Sequence, residues 1–154
     1  MSSDTKTIVG EYLTKMGVNV TYDDKLHQFR SSMKLKNTKT GQELDYPIAI
    51  TILPEWVVIE AAVIDLQGAP REISLEKVYD GMLRANFIFP EVNYAIYKSF
   101  VVSIAWSRIP ALSLENFMTE FGGVMSGVEK FYHVVSYAQA FSAPPPKEFS
   151  PIYQ

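Results

Sequence analysis

The sequence contains no cysteine, which removes disulfides, thiolate metal sites and cysteine nucleophiles together and suits a cytoplasmic protein. Histidine is almost as scarce. His27 and His133 are the only side chains that ordinarily titrate near neutral pH. They belong to no serine–base–acid order and to no pair one helical turn apart, so neither a triad nor a metal motif is written here. Basic charge is lacking too: 14 Lys and Arg stand against 17 Asp and Glu, a net −3 without any Lys/Arg run. That leaves no electrostatic footprint for nucleic-acid phosphates. The longest apolar runs, near Trp56–Ile64 and Phe100–Trp106, are too short to span a bilayer. Met1 to Lys6 does not carry the charged-then-apolar order of a secretory signal. The expectation is a soluble, non-enzymatic protein with no cofactor, metal, nucleic-acid or membrane partner.

The residues that remain chemically suggestive have blander readings. Asp23-Asp24, Asp45, Glu60 and Asp65 are scattered carboxylates, and acid–base work would need an environment that splits their pKa values. Gly122, Gly123 and Gly127 lie inside a helical pattern without the preceding strand or the lysine of a phosphate-binding loop. They point instead to close approach of another element or to a kink. Phe87 and Phe89 near Arg84, and Tyr94 and Tyr97 near Lys98, read as packing rather than as a stacking platform for bases.

What is present is ordinary globular composition, 47% apolar and 20% charged over 154 residues, enough for one domain with its own core. Thr5 to Met16 has helical spacing (Ile8, Val9, Tyr12, Leu13, Met16), with Asp4 expected as N-cap and Gly17 as C-terminal cap. The period then drops to two. Val18, Val20 and Tyr22 alternate, a turn follows at Asp23–Lys25, and Phe29, Met33 and Leu35 alternate again. Lys36 to Gly41 reads as a hairpin loop. Tyr46, Ile48, Ile50 and Ile52 form the next strand, with Pro47 placing it at an edge or at a strand start. Trp56 to Ile64 is apolar on both parities, the mark of a strand covered on both faces or paired across an interface. After a loop over 65–73, Ser74 caps a second helix whose apolar face is Leu75, Val78, Tyr79, Met82 and Leu83, closed by Pro90. Val92, Tyr94 and Ile96, then Phe100, Val102, Ile104 and Trp106, make a hairpin turning at Lys98-Ser99. Ser113 caps a third helix striped by Leu114, Phe117, Phe121, Val124, Val128, Phe131 and Val135.

The expected fold class is α+β, in the order α-β-β-β-α-β-β-α, with the short strand before Asp23 merging into its neighbour. About five strands form a twisted antiparallel sheet with three helices packed on it. Residues 1–141 form that single domain. Residues 142–154 are a proline-rich tail with Phe149, Ile152 and Tyr153 as apolar anchors for docking on a partner or on the chain's own domain.

Leu83-Arg84-Ala85-Asn86 closing a helix, the alternating strand pair, Leu112-Ser113-Leu114-Glu115-Asn116-Phe117, and the long helix ending near Phe131-Tyr132 resemble the YbjN family. Tyr12-Leu13 in a first helix and the strand opening Trp56-Val57-Val58 extend the resemblance over most of residues 5–137. It implies the fold of type III secretion chaperones and a module that dimerises and binds extended segments of other proteins. Tyr79, Met82, Phe87 and Phe89, on the second helix and the strand expected after it, are the candidate dimer contact. The alternative is a small-molecule sensor or carrier with an apolar pocket between sheet and helix, lined by Trp56, Trp106, Phe117 and Phe121.

Overall fold

A computed structural model describes residues 3–36, 41–68 and 74–134. The expected hairpin loop at 37–40, Val135 and the tail with Phe149, Ile152 and Tyr153 lie outside the described residues. The chain runs α1 (Ser3–Lys15), β1 (Thr21–Asp23), β2 (Gln28–Lys36), β3 (Glu43–Ile52), β4 (Trp56–Asp65), α2 (Leu75–Ile88), β5 (Tyr94–Tyr97), β6 (Phe100–Arg108) and α3 (Leu114–Val134). Its six strands form one antiparallel sheet in the order β1-β2-β3-β4-β6-β5. The strand before Asp23 is a separate three-residue element rather than a part of β2.

The helix ends follow their capping chemistry. Gly17 takes φ +71, and the amides of Gly17 and Val18 donate to the carbonyls of Thr14 and Leu13 at 3.0 and 2.9 Å. This double bond pattern is the one a left-handed glycine makes possible at a helix end. The hydroxyls of Ser74 and Ser113 accept from the amides of Lys77 and Asn116, which fixes the starts of α2 and α3. Asp4 is not the N-cap expected of it. It sits within the first turn of α1, where its carboxylate still meets the positive end of the helix.

Alternation along the strands sorts side chains onto two faces. Ile48, Ile50, Ile52, Val57, Ile59, Ala61 and Val63 join Val9, Leu13, Val78, Met82, Phe117, Phe121, Val124, Val128 and Phe131 in the main core. All three helices therefore pack on this inner face. Val58, Val102 and Ile104 form a separate cluster with Trp56 and Phe100, on the outer face. A bulge between Ala62 and Ile64 shifts the parity of β4, so Val63 and Ile64 both reach the inner core. Strand β3 is interior, contrary to the reading from Pro47. The proline is tolerated because pairing of β3 with β4 begins only at Ile48, so no ladder bond to that neighbour needs the missing amide hydrogen.

Two of the three glycines in α3 mark close approach. A Cβ on Gly123 would run into the carbonyl of Glu91, and one on Gly127 into the hydroxyl of Ser103 on β6, whereas Gly122 faces open space. The helix thus lies on β6 more closely than any larger residue allows. Replacing Gly127 by alanine is expected to lower stability to denaturant by about 1–3 kcal/mol, the usual cost of overpacking. Adding Ser103→Ala should return part of that loss, because the hydroxyl is the nearest obstacle. Equal stability of Gly127→Ala and the native chain would contradict this packing.

Candidate protein-binding surfaces

Helix α2 has more apolar positions than one buried stripe can use. Val78, Met82 and Ala85 point into the core, while Leu75, Tyr79, Leu83, Phe87 and Ile88 are exposed. Phe87 stands 90% exposed, Leu83 70% and Ile88 59%. Residues 79, 83 and 87 are four apart and stack along one line of the helix. Of the residues expected to form a dimer contact, Tyr79 and Phe87 lie on this exposed stripe. Met82 is buried in the core. Phe89, half-buried at the C-cap of α2, packs on the core and lies 4.7 Å below the Lys130 ammonium. Phe87 belongs to the helix, not to a following strand.

The helix is held by a side chain that acts as a strand. Asn86 donates through its Nδ2 to the carbonyl of Tyr94 at 3.0 Å and accepts from the Tyr94 amide at 2.7 Å. Its amide group thereby completes the ladder of edge strand β5 and blocks further pairing at that point. On the exposed side of α2, Arg84 donates to Asp80 at 2.7 Å, and this bond holds the Asp80 carboxyl below the usual range.

The opposite edge of the sheet is not blunted. Strand β1 pairs only with Gln28, Phe29 and Arg30, although β2 continues to Lys36 along β3. Among the described residues, nothing pairs with the outer edge of β2 from Ser32 to Lys36. Beside this edge runs an open groove of about 770 Å³, with Val18, Val20, Met33, Ile48, Phe121 and Met125 as its apolar lining. The backbone edge and the apolar trough lie side by side, the pairing that recognition by strand addition requires.

The four residues expected to enclose a small-molecule pocket do not converge. Phe117 and Phe121 are buried in the inner core, where their ring centroids lie 6.2 Å apart. Trp56 and Trp106 meet edge-to-face at 6.2 Å on the outer face. The sheet separates the two pairs, because Trp56 and Trp106 belong to the cluster on the outer face and Phe117 and Phe121 to the inner core. Sequence parity places the tryptophans together but cannot say which face the helices cover. His27 is exposed in a turn at φ 50. Among the described residues no group of three or more His, Cys, Asp or Glu could hold a metal, and no helix is long and apolar enough to cross a membrane.

Tyr94 is the most perturbed of the described titrating groups on β5 and β6. Its hydroxyl donates to the carbonyl of Gly127 at 2.6 Å, and burial pushes the phenol well above its ordinary value. The unfolded chain sheds that proton near pH 10 while the folded chain keeps it. Folding therefore loses free energy as the pH climbs past 10. Tyr94→Phe should be less stable than the native chain at pH 8 by about 1 kcal/mol for the lost hydrogen bond. It should also lose less stability than the native chain between pH 9 and pH 11, as followed by urea melts at each pH. Parallel losses in the two proteins would contradict the assignment.

No family model and no curated protein matches this chain. Solved structures do. A chain of the HopA1–SchA chaperone–effector complex superposes with a TM-score of 0.57 at 11% identity, covering 82% of this chain and 91% of its own length. A chain of the ExsC–ExsE complex gives 0.57 at 12% identity, covering 93% and 98%. YbjN of E. coli gives 0.56 at 12% identity, covering 92% and 96%. The fold is therefore the type III secretion chaperone-like fold, which YbjN shares.

Proposed function

We propose that this chain is a non-enzymatic protein-binding module of chaperone-like or adaptor type, acting in the cytoplasm as a homodimer. The observation that carries the reading is the exposed apolar stripe of α2, with Phe87 and Leu83 standing almost free of their own domain. Contiguous exposed apolar side chains, unlike scattered ones, mark interaction surfaces on soluble proteins. A second copy of the same helix is self-complementary to such a stripe, as a two-fold interface requires. The dimer contact is then Tyr79, Leu83, Phe87 and Ile88, with Met82 supporting it from beneath.

The client is an extended segment of another protein. It adds to β2 at Ser32–Lys36 and lowers alternate side chains into the groove lined by Met33, Ile48 and Phe121. Support comes from the solved relatives in fold, which include a chaperone–effector complex and the heterodimeric ExoU–SpcU complex from the type III secretion system of Pseudomonas aeruginosa. A small-molecule carrier would not use the pocket expected for it, since Trp56 and Trp106 lie on the opposite face of the sheet from Phe117 and Phe121.

Light scattering over a range of concentrations tests the dimer. The native chain should have twice the monomer mass, and Leu83→Ser with Phe87→Ser should weaken association at least about tenfold, as loss of central apolar anchors does. A native chain that stays monomeric throughout would overturn the dimer.

A further inference from the structure

The groove beside β2 is chemically one-sided. Its charged lining residues, Arg30 and Lys34, are both basic, although the chain as a whole carries a net −3. Lys36 continues the same row on the outer parity of β2. Arg30 is held by Gln28 at 3.1 Å and by Asp23 at 3.8 Å. Lys34 and Lys36 are exposed, and neither makes an ion pair among the described residues. Asp45 and Glu43 stand opposite them on β3, one strand further from the edge. A strand added to β2 would meet the lysine row about 5 Å away and the carboxylate row at about 10 Å. The far wall of the groove is fixed. Gly17 turns the chain out of α1 at φ +71, and the Ser31 hydroxyl donates to the carbonyl of Asn19 at 2.7 Å. Residues 17–20 are thereby tied to β2, while β1 pairs with it no further than Arg30.

We propose, on the reading that a client strand adds to β2, that this edge selects an extended segment in which acidic and apolar residues alternate. Carboxylates take the positions opposite Lys34 and Lys36, and apolar side chains those opposite Met33 and Leu35. Residues directly opposite each other in a sheet point to the same face, so the two requirements fall on alternate positions of one strand. Met33 and Leu35 pack on the inner core, and side chains beside them turn toward Ile48, Phe121 and Met125 in the groove. Carboxylates beside Lys34 and Lys36 lie on the outer face, within reach of the ammonium groups. A slip of one residue would set apolar side chains against the lysines and carboxylates in the trough, so the same pattern fixes the register. A basic segment would meet like charge along the whole row, which is destabilising directly across a sheet.

The test titrates the full-length chain against labelled synthetic peptides of equal length, alternating glutamate–valine, serine–valine and lysine–valine, and reads fluorescence anisotropy. The glutamate peptide is expected to bind tightest, about tenfold over the lysine peptide, because the cross-strand charge pairs are attractive in one and repulsive in the other. That margin should shrink as salt is raised, since exposed pairs are screened. Lys34→Glu with Lys36→Glu should reverse the order of the glutamate and lysine peptides. If that variant fails to fold, because its new carboxylates face Asp45 and Glu43, Lys34→Gln with Lys36→Gln should erase the preference instead. N-methylation of two adjacent central residues removes the amide hydrogens that a ladder needs in either register, and should abolish binding of the glutamate peptide. Equal affinity for the three peptides, each lost on N-methylation, would overturn the acidic selection and leave strand addition standing. So would a preference for the lysine peptide, or a glutamate preference untouched by the lysine substitutions. No binding of any peptide, or binding that survives N-methylation, would overturn strand addition at this edge and the selection with it.

Discussion

Strand β4 is buried from Val57 through Ile64, and a strand of this kind must be covered twice. Its inner face meets α3, and the closeness of that contact is set by Gly123 and Gly127, which remove the side chains that would hold the helix away from Glu91 and Ser103. Tyr94 then reaches Gly127 with a hydrogen bond that locks edge strand β5 to the same turn of helix. Most of the fold follows from this contact. With α3 seated on β4 and β6, α1 fits beside it, where Tyr12 and Phe117 lie 5.7 Å apart. Helix α2 closes the remaining end through Val78, Met82 and Ala85. Among the described residues, no helix lies on the outer face, where Val58, Val102 and Ile104 cluster with Trp56 and Phe100.

Legibility in the sequence tracked the locality of each signal. Caps at Ser74, Ser113 and Gly17 were readable because capping is decided within four residues of chain. The strands were readable from alternation, and the Lys98-Ser99 turn from its length. Sidedness was not readable. With Val57 and Val58 equally apolar, parity says that Trp56 and Trp106 share a face but not that the helices take the other one. This is why Trp56 and Trp106 were grouped with Phe117 and Phe121, which the sheet separates from them. Pro47 misled for a related reason: the rule concerns the amide's local need for a partner, not the rank of the strand.

Helix α2 shows a further limit of periodicity. Leu75, Val78, Tyr79, Met82 and Leu83 read as a single apolar face, yet the stripe is wider than the core can absorb, and the structure divides it between inside and outside. Sequence marks such a helix as amphipathic; only packing shows that part of its apolar arc is left over. Asn86 was legible as part of a resemblance but not as a hydrogen-bonding group. Its role depends on β5 arriving eight residues later with Tyr94 in register.

The two edges of the sheet are treated unequally, and that asymmetry is informative. An open edge invites uncontrolled pairing, so proteins blunt edges that have no use. Here β5 is blunted, with Asn86 occupying both backbone groups of Tyr94. On the other side β1 stops after three residues and leaves the rest of β2 beside an apolar groove. The alternating Arg30, Ser32, Lys34 and Lys36 on the outer parity of β2 keep that edge soluble by charge without occupying its backbone. Among the described residues that edge is guarded by charge but still open to pairing, as the proposed capture of an extended segment requires. The apolar stripe of α2 lies beside the blunted edge, so the proposed dimer contact and the proposed client groove are separate surfaces.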